Sequence, residues 1–327
     1  MAQGCHIGVQ QDVIKTMLTL EQLLADGYEL VEWSGRNQRT LVDSEGFVFA
    51  VCAGKPIGDK TWDRTMQQFG DTVARTRDAL NLKKGQDRRG PFETIAVGVS
   101  YGGGQTCPGN LVHREPGVQQ VLDDFLKDPA SIRIAHYQSA CYALFVPKLF
   151  EDTRKTTNEL FEHFPDLKRN FPRSVFAAAT VNFPPDAFCY LHTDHGNRAV
   201  GWCAITAGGN YDYRKGGHLV LPQLKLIIEF PPGSTILIPS ATLTHGNTSI
   251  GRHESRFSFA QYSSGGLFRY VSYGFRTWPQ FKIAESVKAA QVEKERTTRW
   301  MSQISLLSRV DDLHVDRQSV GIVRVSS

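Results

Sequence analysis

The side chains with the strongest claim to chemistry are His192 and Asp194, in the triplet HTD, and His245 far downstream. On an extended segment side chains alternate faces, so residues two apart point the same way. Two imidazoles and one carboxylate can cap one face of an octahedral metal and leave the other positions open, as non-haem Fe(II) sites do. Arg256, eleven positions beyond His245, opens an alternating run in which Ser258 shares its face. Its guanidinium is planar and always charged, and its fork suits a carboxylate. A triplet of this kind also arises by chance, in exposed turns or around satisfied core histidines. The surroundings give it weight.

Those surroundings read as short strands. Apolar, β-branched and aromatic runs occupy 175–183, 188–194, 201–206, 218–221, 224–230, 234–239 and 256–262. Between them lie the turn formers Pro184-Pro185-Asp186, Gly216-Gly217, Pro222-Gln223 and Pro231-Pro232-Gly233. Such spacing predicts a sandwich or jelly roll. In a double-stranded β-helix, strands distant in sequence converge on one mouth. The run that ends on His192 and Asp194 can there meet His245. The expected class is α+β, with a jelly-roll core braced by helices and an elaborated N-terminal half.

The bracing elements follow from periodicity. A short helix is expected over 19–25 and a hairpin around Ser44-Glu45-Gly46. Helical spacing over 63–82 carries Met66, Phe69, Val73 and Leu80. The strand-like 94–101 run enters Gly102-Gly103-Gly104-Gln105, which lacks the Gly-Lys-Ser/Thr ending of a phosphate loop. Its glycines fit a flexible or close-packed segment beside the site. Further helices are expected over 118–127 and 147–164, and a charged amphipathic helix over 281–307 precedes a mobile tail. This divides the chain into a supporting region (1–110), the core with its bracing helices (111–280), and the C-terminal helix and tail (281–327).

Composition sets looser bounds. Lys and Arg number 37 against 33 acidic residues, a net charge of +4 that permits a polyanionic partner without requiring one. Lys83, Lys84, Arg88 and Arg89 cluster in one segment, able to meet phosphates, act as a nuclear signal, or simply be solvated. The six cysteines show no C-x-x-C pair, so neither a zinc site nor a disulfide framework is indicated. No signal peptide or membrane-length apolar run is evident. A soluble intracellular protein is expected.

Beyond these residue-level readings, the stretch 174–278 resembles the catalytic core of Fe(II)/2-oxoglutarate dioxygenases. GWCAIT at 201–206, GGHLVL at 216–221 and FPPGSTILIPS at 230–240 resemble, more narrowly, the fungal, mobile-element-associated TET/JBP-like proteins. The wider TET/JBP group oxidises methyl groups on nucleic-acid bases. The resemblance implies that His192, Asp194 and His245 are the catalytic Fe(II) ligands. Arg256 would bind the distal carboxylate of 2-oxoglutarate, with Ser258 as hydroxyl partner. The implied reaction hydroxylates a C–H bond with O2 as cosubstrate and converts 2-oxoglutarate to succinate and CO2.

The same resemblance bears on the substrate. TET enzymes carry a polar, base-contacting residue three positions after the aspartate. Here that is Asn197, whose amide both donates and accepts and can read a base edge, or can simply support the turn at Gly196. The TET base-contacting histidine, eight residues after the arginine, is replaced by Ser264. That departure leaves the base open. Methylated DNA is the expected substrate, with 5-methylcytosine the default, N6-methyladenine the alternative, and RNA also within reach. A monomer acting in the nucleus in DNA demethylation would follow.

Two other readings share part of this pattern. One is a 2-oxoglutarate oxygenase of a protein side chain (prolyl-hydroxylase-like) or small molecule; the other is a jelly-roll module that only binds. Nearby candidates are set aside on position. His195 faces the other side of an ideal strand, His218 follows a turn and reads as structural, and His253 lies in an exposed loop. Arg252 competes with Arg256 but sits in that loop. Arg276 and Trp278 are read as helping to close the barrel.

Overall fold

The computed structural model describes residues 15–82 and 87–322. Its strands in chain order are β1 (Glu29–Val31), β2 (Arg39–Val42), β3 (Val48–Gly54), β4 (Thr94–Ser100), β5 (Gly109–Asn110), β6 (Ala178–Asn182), β7 (Cys203–Asn210), β8 (Leu219–Leu221), β9 (Leu226–Ile228), β10 (Thr235–Ile238), β11 (Gly246–Asn247) and β12 (Ser255–Tyr262). Eight form one sheet in the order β2-β3-β10-β7-β12-β6-β4-β5, and β1-β9-β8-β11 form the second. All neighbours run antiparallel except β1 on β9. This is the expected α+β class with a jelly-roll core.

Strand β12 shows how the sequence builds it. The strand lies between β6 and β7, so its backbone is paired on both sides. Phe257 and Phe259 point outward into an apolar cluster, where Phe259 meets Phe69, Phe125 and Phe171 at ring distances of 5.6 to 6.0 Å. By alternation Arg256 and Ser258 face the barrel interior. Truncating the fully buried Phe259 to alanine should cost about 3–5 kcal/mol.

The helices are α1 (Leu20–Ala25), α2 (Trp62–Leu80), α3 (Val118–Lys127), α4 (Pro129–Phe145), α5 (Pro147–His163), α6 (Gly265–Ser272), α7 (Trp278–Ala284), α8 (Ser286–Lys294), α9 (Arg299–Ile304) and α10 (Leu313–Ser319). Helix α1 starts on a Thr19–Gln22 capping box, and α2 stops where Asn81 turns left-handed at φ 45°. Helix α4 is absent from the sequence reading. Asp128 caps it and Pro129 opens it, but its buried positions surround the axis and include Ser131, Gln138 and Ser139. That blurs the 3.6-residue period. Gln138 links the helix to the large sheet, donating to Thr206 Oγ1 at 2.9 Å and to the Phe259 carbonyl at 3.0 Å.

Three local expectations change. The 188–194 run is not a regular strand; His192 pairs with His245 in an isolated bridge. The single helix over 281–307 is broken at Glu285 (φ −136°, ψ 54°) and again before α9. The tail expected to be mobile carries α10. Leu313 is buried, Arg317 Nε donates to the Leu144 carbonyl at 2.7 Å, and Asp316 pairs with Lys148 at 3.2 Å. Residues 323–327, like Lys83 and Lys84, lie outside the described residues. Upstream, β1 extends the small sheet, while β3 and β4 join the large one through β10 and β6. Among the described residues no helix is long and apolar enough to cross a membrane.

Candidate metal centre and cosubstrate pocket

The bridge between the 188–194 segment and the residues before β11 brings the two histidines to one rung. One ligand atom each from His192, Asp194 and His245 lies within 4.8 Å of the others. His192 Nε2 stands 3.7 Å from Asp194 Oδ1, and His245 Nε2 stands 3.9 Å from Oδ2. These separations exceed hydrogen bonding, so the three groups face one another across a gap. His192 Nδ1 donates to the Tyr190 carbonyl at 2.8 Å and His245 Nδ1 to the Leu243 carbonyl at 2.9 Å. Both Nε2 lone pairs are thereby free for a metal.

Electrostatics agree with the geometry. Burial, reinforced by His245, pushes His192 down to about 4, which keeps it neutral and able to ligate. Burial alone would raise the Asp194 carboxyl. His192, His245, Arg89 and a hydrogen bond from the Ser240 hydroxyl outweigh it and hold the group below its ordinary range. The Asp194 backbone N–H is fixed on the Ser240 carbonyl at 2.8 Å. This donor set fits a divalent iron.

Arg256 fits an anion. Its side chain is only 1% exposed, and one Nη1 donates to the Ala187 carbonyl. The guanidinium carbon lies 5.8 Å from the Tyr211 ring and 5.6 Å from that of Phe230. Its Nε is buried without a partner, and no carboxylate pairs with it among the described residues. Leaving a cation buried and unpaired costs several kcal/mol, so a charged partner is called for. Ser258 Oγ accepts from Asn182 Nδ2 at 2.9 Å, which fixes the hydroxyl on the same strand face. Gly217, left-handed at φ +73°, keeps the pocket open; a Cβ there would stand 2.8 Å from the Tyr211 ring and 3.3 Å from Arg256 Cδ. Arg252, the competing cation, is exposed.

The remaining candidates fall into place unevenly. Asn197 closes the turn after Asp194 and donates from Nδ2 to Ser240 Oγ at 3.1 Å, so one hydroxyl touches both the ligand and the candidate substrate residue. Ser264 caps α6 and donates to the Tyr101 carbonyl at 2.8 Å, a structural role. His218 is buried with Nδ1 2.8 Å from Thr248 Oγ1, and His253 is exposed. Arg276 and Trp278 line a groove beside the 102–105 loop. Arg89 joins the site unannounced by the sequence. From what looked like a solvated basic run it turns back beside Asp87 at 3.0 Å, and its charge is felt at Asp194 and Cys189. Nothing in the letters distinguishes Arg89 from exposed Arg88.

No family model matches the chain, and no curated protein matches it. Among solved structures it is similar to NgTET1 in complex with 5mC DNA: TM-score 0.50, 12% identity, over 76% of this chain and 92% of that one. The fold is shared with NgTET1. A 2OG-Fe(II) oxygenase-family oxidoreductase from Burkholderia pseudomallei matches at TM-score 0.31 and 16% identity, over 58% of this chain and 78% of its own. The viral collagen prolyl hydroxylase of Paramecium Bursaria Chlorella virus-1, in its 2OG complex, matches at TM-score 0.28 and 16% identity, over 59% and 88%.

Proposed function

We propose that this protein is an Fe(II)/2-oxoglutarate-dependent dioxygenase that oxidises the methyl group of a methylated nucleic-acid base. The observation that carries the chemistry is the pairing of an open two-histidine, one-carboxylate cluster with a buried, unpaired arginine in one barrel. Binding alone requires neither feature. His192, His245 and Asp194 would hold the iron, and Arg256 would receive the distal carboxylate of 2-oxoglutarate with Ser258 beside it. Bound together, metal and cosubstrate supply the oxidising chemistry, in which 2-oxoglutarate leaves as succinate and CO2 while O2 hydroxylates a C–H bond. The chain's own part is to fix tautomers, neutralise the cosubstrate and keep the pocket apolar.

The base as substrate is supported by the fold shared with NgTET1, whose complex contains 5mC DNA, and by Asn197 beside the ligand turn. A stacked methyl group cannot reach a metal inside a barrel, so the nucleotide must be extruded or single-stranded. 5-Methylcytosine in DNA is the first candidate and N6-methyladenine the second, in keeping with the TET/JBP-like motifs. This reading places a monomeric enzyme in the nucleus. Mass spectrometry of methylated oligonucleotides incubated with protein, Fe(II), 2-oxoglutarate and ascorbate tests it. A C-methyl group should be retained as hydroxymethyl, whereas a hydroxylated N-methyl group should be lost as formaldehyde. Succinate formation without change in any methylated DNA or RNA would move the substrate to a protein side chain or small molecule.

A further inference from the structure

Beside the ligand turn lies a groove whose charge is one-sided. A cavity of about 430 Å³ includes His195 and Gly196, directly after Asp194, and extends past the 102–105 loop to Arg269. A second, of about 180 Å³, shares Tyr101, Gly102, Gly103, Gln105 and Arg269 with it and reaches Arg276 and Trp278. Shared walls make the two one groove. Among its described lining residues there are two arginines and no aspartate or glutamate. Neither arginine is ion-paired among the described residues, although both are partly buried.

One wall carries almost no side chains. Gly102, Gly103 and Gly104 have φ of +155°, +58° and +94°, and each has open space where a Cβ would stand. The stem of this loop is fastened to α6. Ser264 donates to the Tyr101 carbonyl, and a Cβ on Gly266 would come within 2.2 Å of that same oxygen. The opposite wall presents Arg269, Arg276 and the partly buried ring of Trp278, which also packs on Tyr273 and Phe281 at ring distances of 5.3 and 6.0 Å. Bare backbone admits a bulky chain close in, guanidiniums suit phosphates, and an aromatic face suits a base of any sequence.

We propose that this groove holds the nucleic-acid strand carrying the target base, with Arg269 and Arg276 on its phosphates and Trp278 against a neighbouring base. The proposal rests on the base-oxidising reading above and gives that site its path for the strand. Recognition along the groove is then charge and stacking, tolerant of sequence.

The test is fluorescence anisotropy of a labelled single-stranded 15-mer with one 5-methylcytosine, titrated with full-length protein over a series of salt concentrations, without 2-oxoglutarate. Arg269→Gln and Arg276→Gln should each weaken binding roughly tenfold and lower the log–log salt slope by about 1. Arg64→Gln, which removes the same charge from the exposed face of α2, should do neither. Thermal melting checks that each variant is folded. Wild-type binding that survives unchanged in the double groove variant, or that falls as much in Arg64→Gln, overturns the groove and leaves base oxidation standing. A wild-type protein that binds no oligonucleotide at any salt overturns both.

Discussion

His192 and His245 are each other's backbone partners: each donates its N–H to the other's carbonyl at 3.0 Å. Each ring is then tied through Nδ1 to the carbonyl two residues before it. Position and tautomer of both imidazoles therefore depend on main chain, not on neighbouring side chains. The face that the two rings present is thus organised by main chain alone. This preorganisation also makes the rings removable without dismantling the rung.

Substituting the rings therefore tests the site cleanly. His192→Ala, Asp194→Ala and His245→Ala should each reduce iron-dependent 2-oxoglutarate decarboxylation to background while melting stays cooperative. Wild type should be stabilised by added Fe(II), by about 2.7 kcal/mol at a hundredfold excess over Kd, and the variants should not. Near-normal decarboxylation in any one variant would remove that residue from the ligand set.

Ser240 gives a subtler test. Its hydroxyl supports the Asp194 carboxylate and receives the Asn197 amide. Ser240→Ala should weaken metal affinity by about tenfold, the lower end for lost outer-shell contacts, with little change in fold. Unchanged metal affinity in an anaerobic titration would show that the carboxylate is held by other groups.

Arg256 should govern the cosubstrate. Arg256→Ala removes a charge-assisted contact of about 1.5–3 kcal/mol, so apparent 2-oxoglutarate affinity should fall tenfold or more. Lysine should rescue only in part, because it cannot reproduce the planar fork. If cosubstrate dependence is unaltered in Arg256→Ala, Arg89 is the next cation to substitute, since its charge is already felt at Asp194.

Much of this was readable from the letters because it depends on alternation. His192 and Asp194 stand two apart, and Arg256 and Ser258 stand two apart, so an extended backbone places each pair together even where, as at 188–194, no regular strand forms. What the letters hide depends on tertiary context. Helix α4 is buried around its axis and carries Gln138 into the interior, so no apolar stripe announces it. Arg89 differs from Arg88 only in where the chain turns. The glycines at 102–104 read as a loop, but the acid-free groove beside them is assembled from α6 and α7, far away in sequence.

His218 predicts a pH dependence away from the metal. Burial depresses its pKa below the ordinary 6.5, outweighing the pull of the Arg214 backbone and of Glu21 and Asp212. The folded state thus keeps it neutral while the unfolded chain takes up a proton. Its stabilising contribution is complete above pH 6.5 and is lost as pH falls towards the folded value. Melting temperature should drop between about pH 7 and 5, and His218→Gln should flatten that drop, His192 accounting for a remainder of the same sign. A curve identical to wild type would mean that His218 titrates alike in the folded and unfolded chain.

Asn197 separates base oxidation from cosubstrate chemistry. It lies in the turn after Asp194, with its backbone N–H on the Asp194 carbonyl at 2.8 Å and its side-chain amide on Ser240. A residue that only supports this turn would, when truncated, loosen the ligand loop and lower every activity alike. One that reads a base edge would leave iron and 2-oxoglutarate in place and cost productive alignment, where small displacements are worth up to about a hundredfold. Asn197→Ala should therefore impair oxidation of a methylated oligonucleotide by at least about tenfold more than it impairs substrate-free succinate formation. Asn197→Asp, which keeps the side chain's size but removes the amide donors, should resemble alanine in base oxidation. Parallel loss of both activities would return Asn197 to a structural role and leave base selection to residues elsewhere on the barrel mouth.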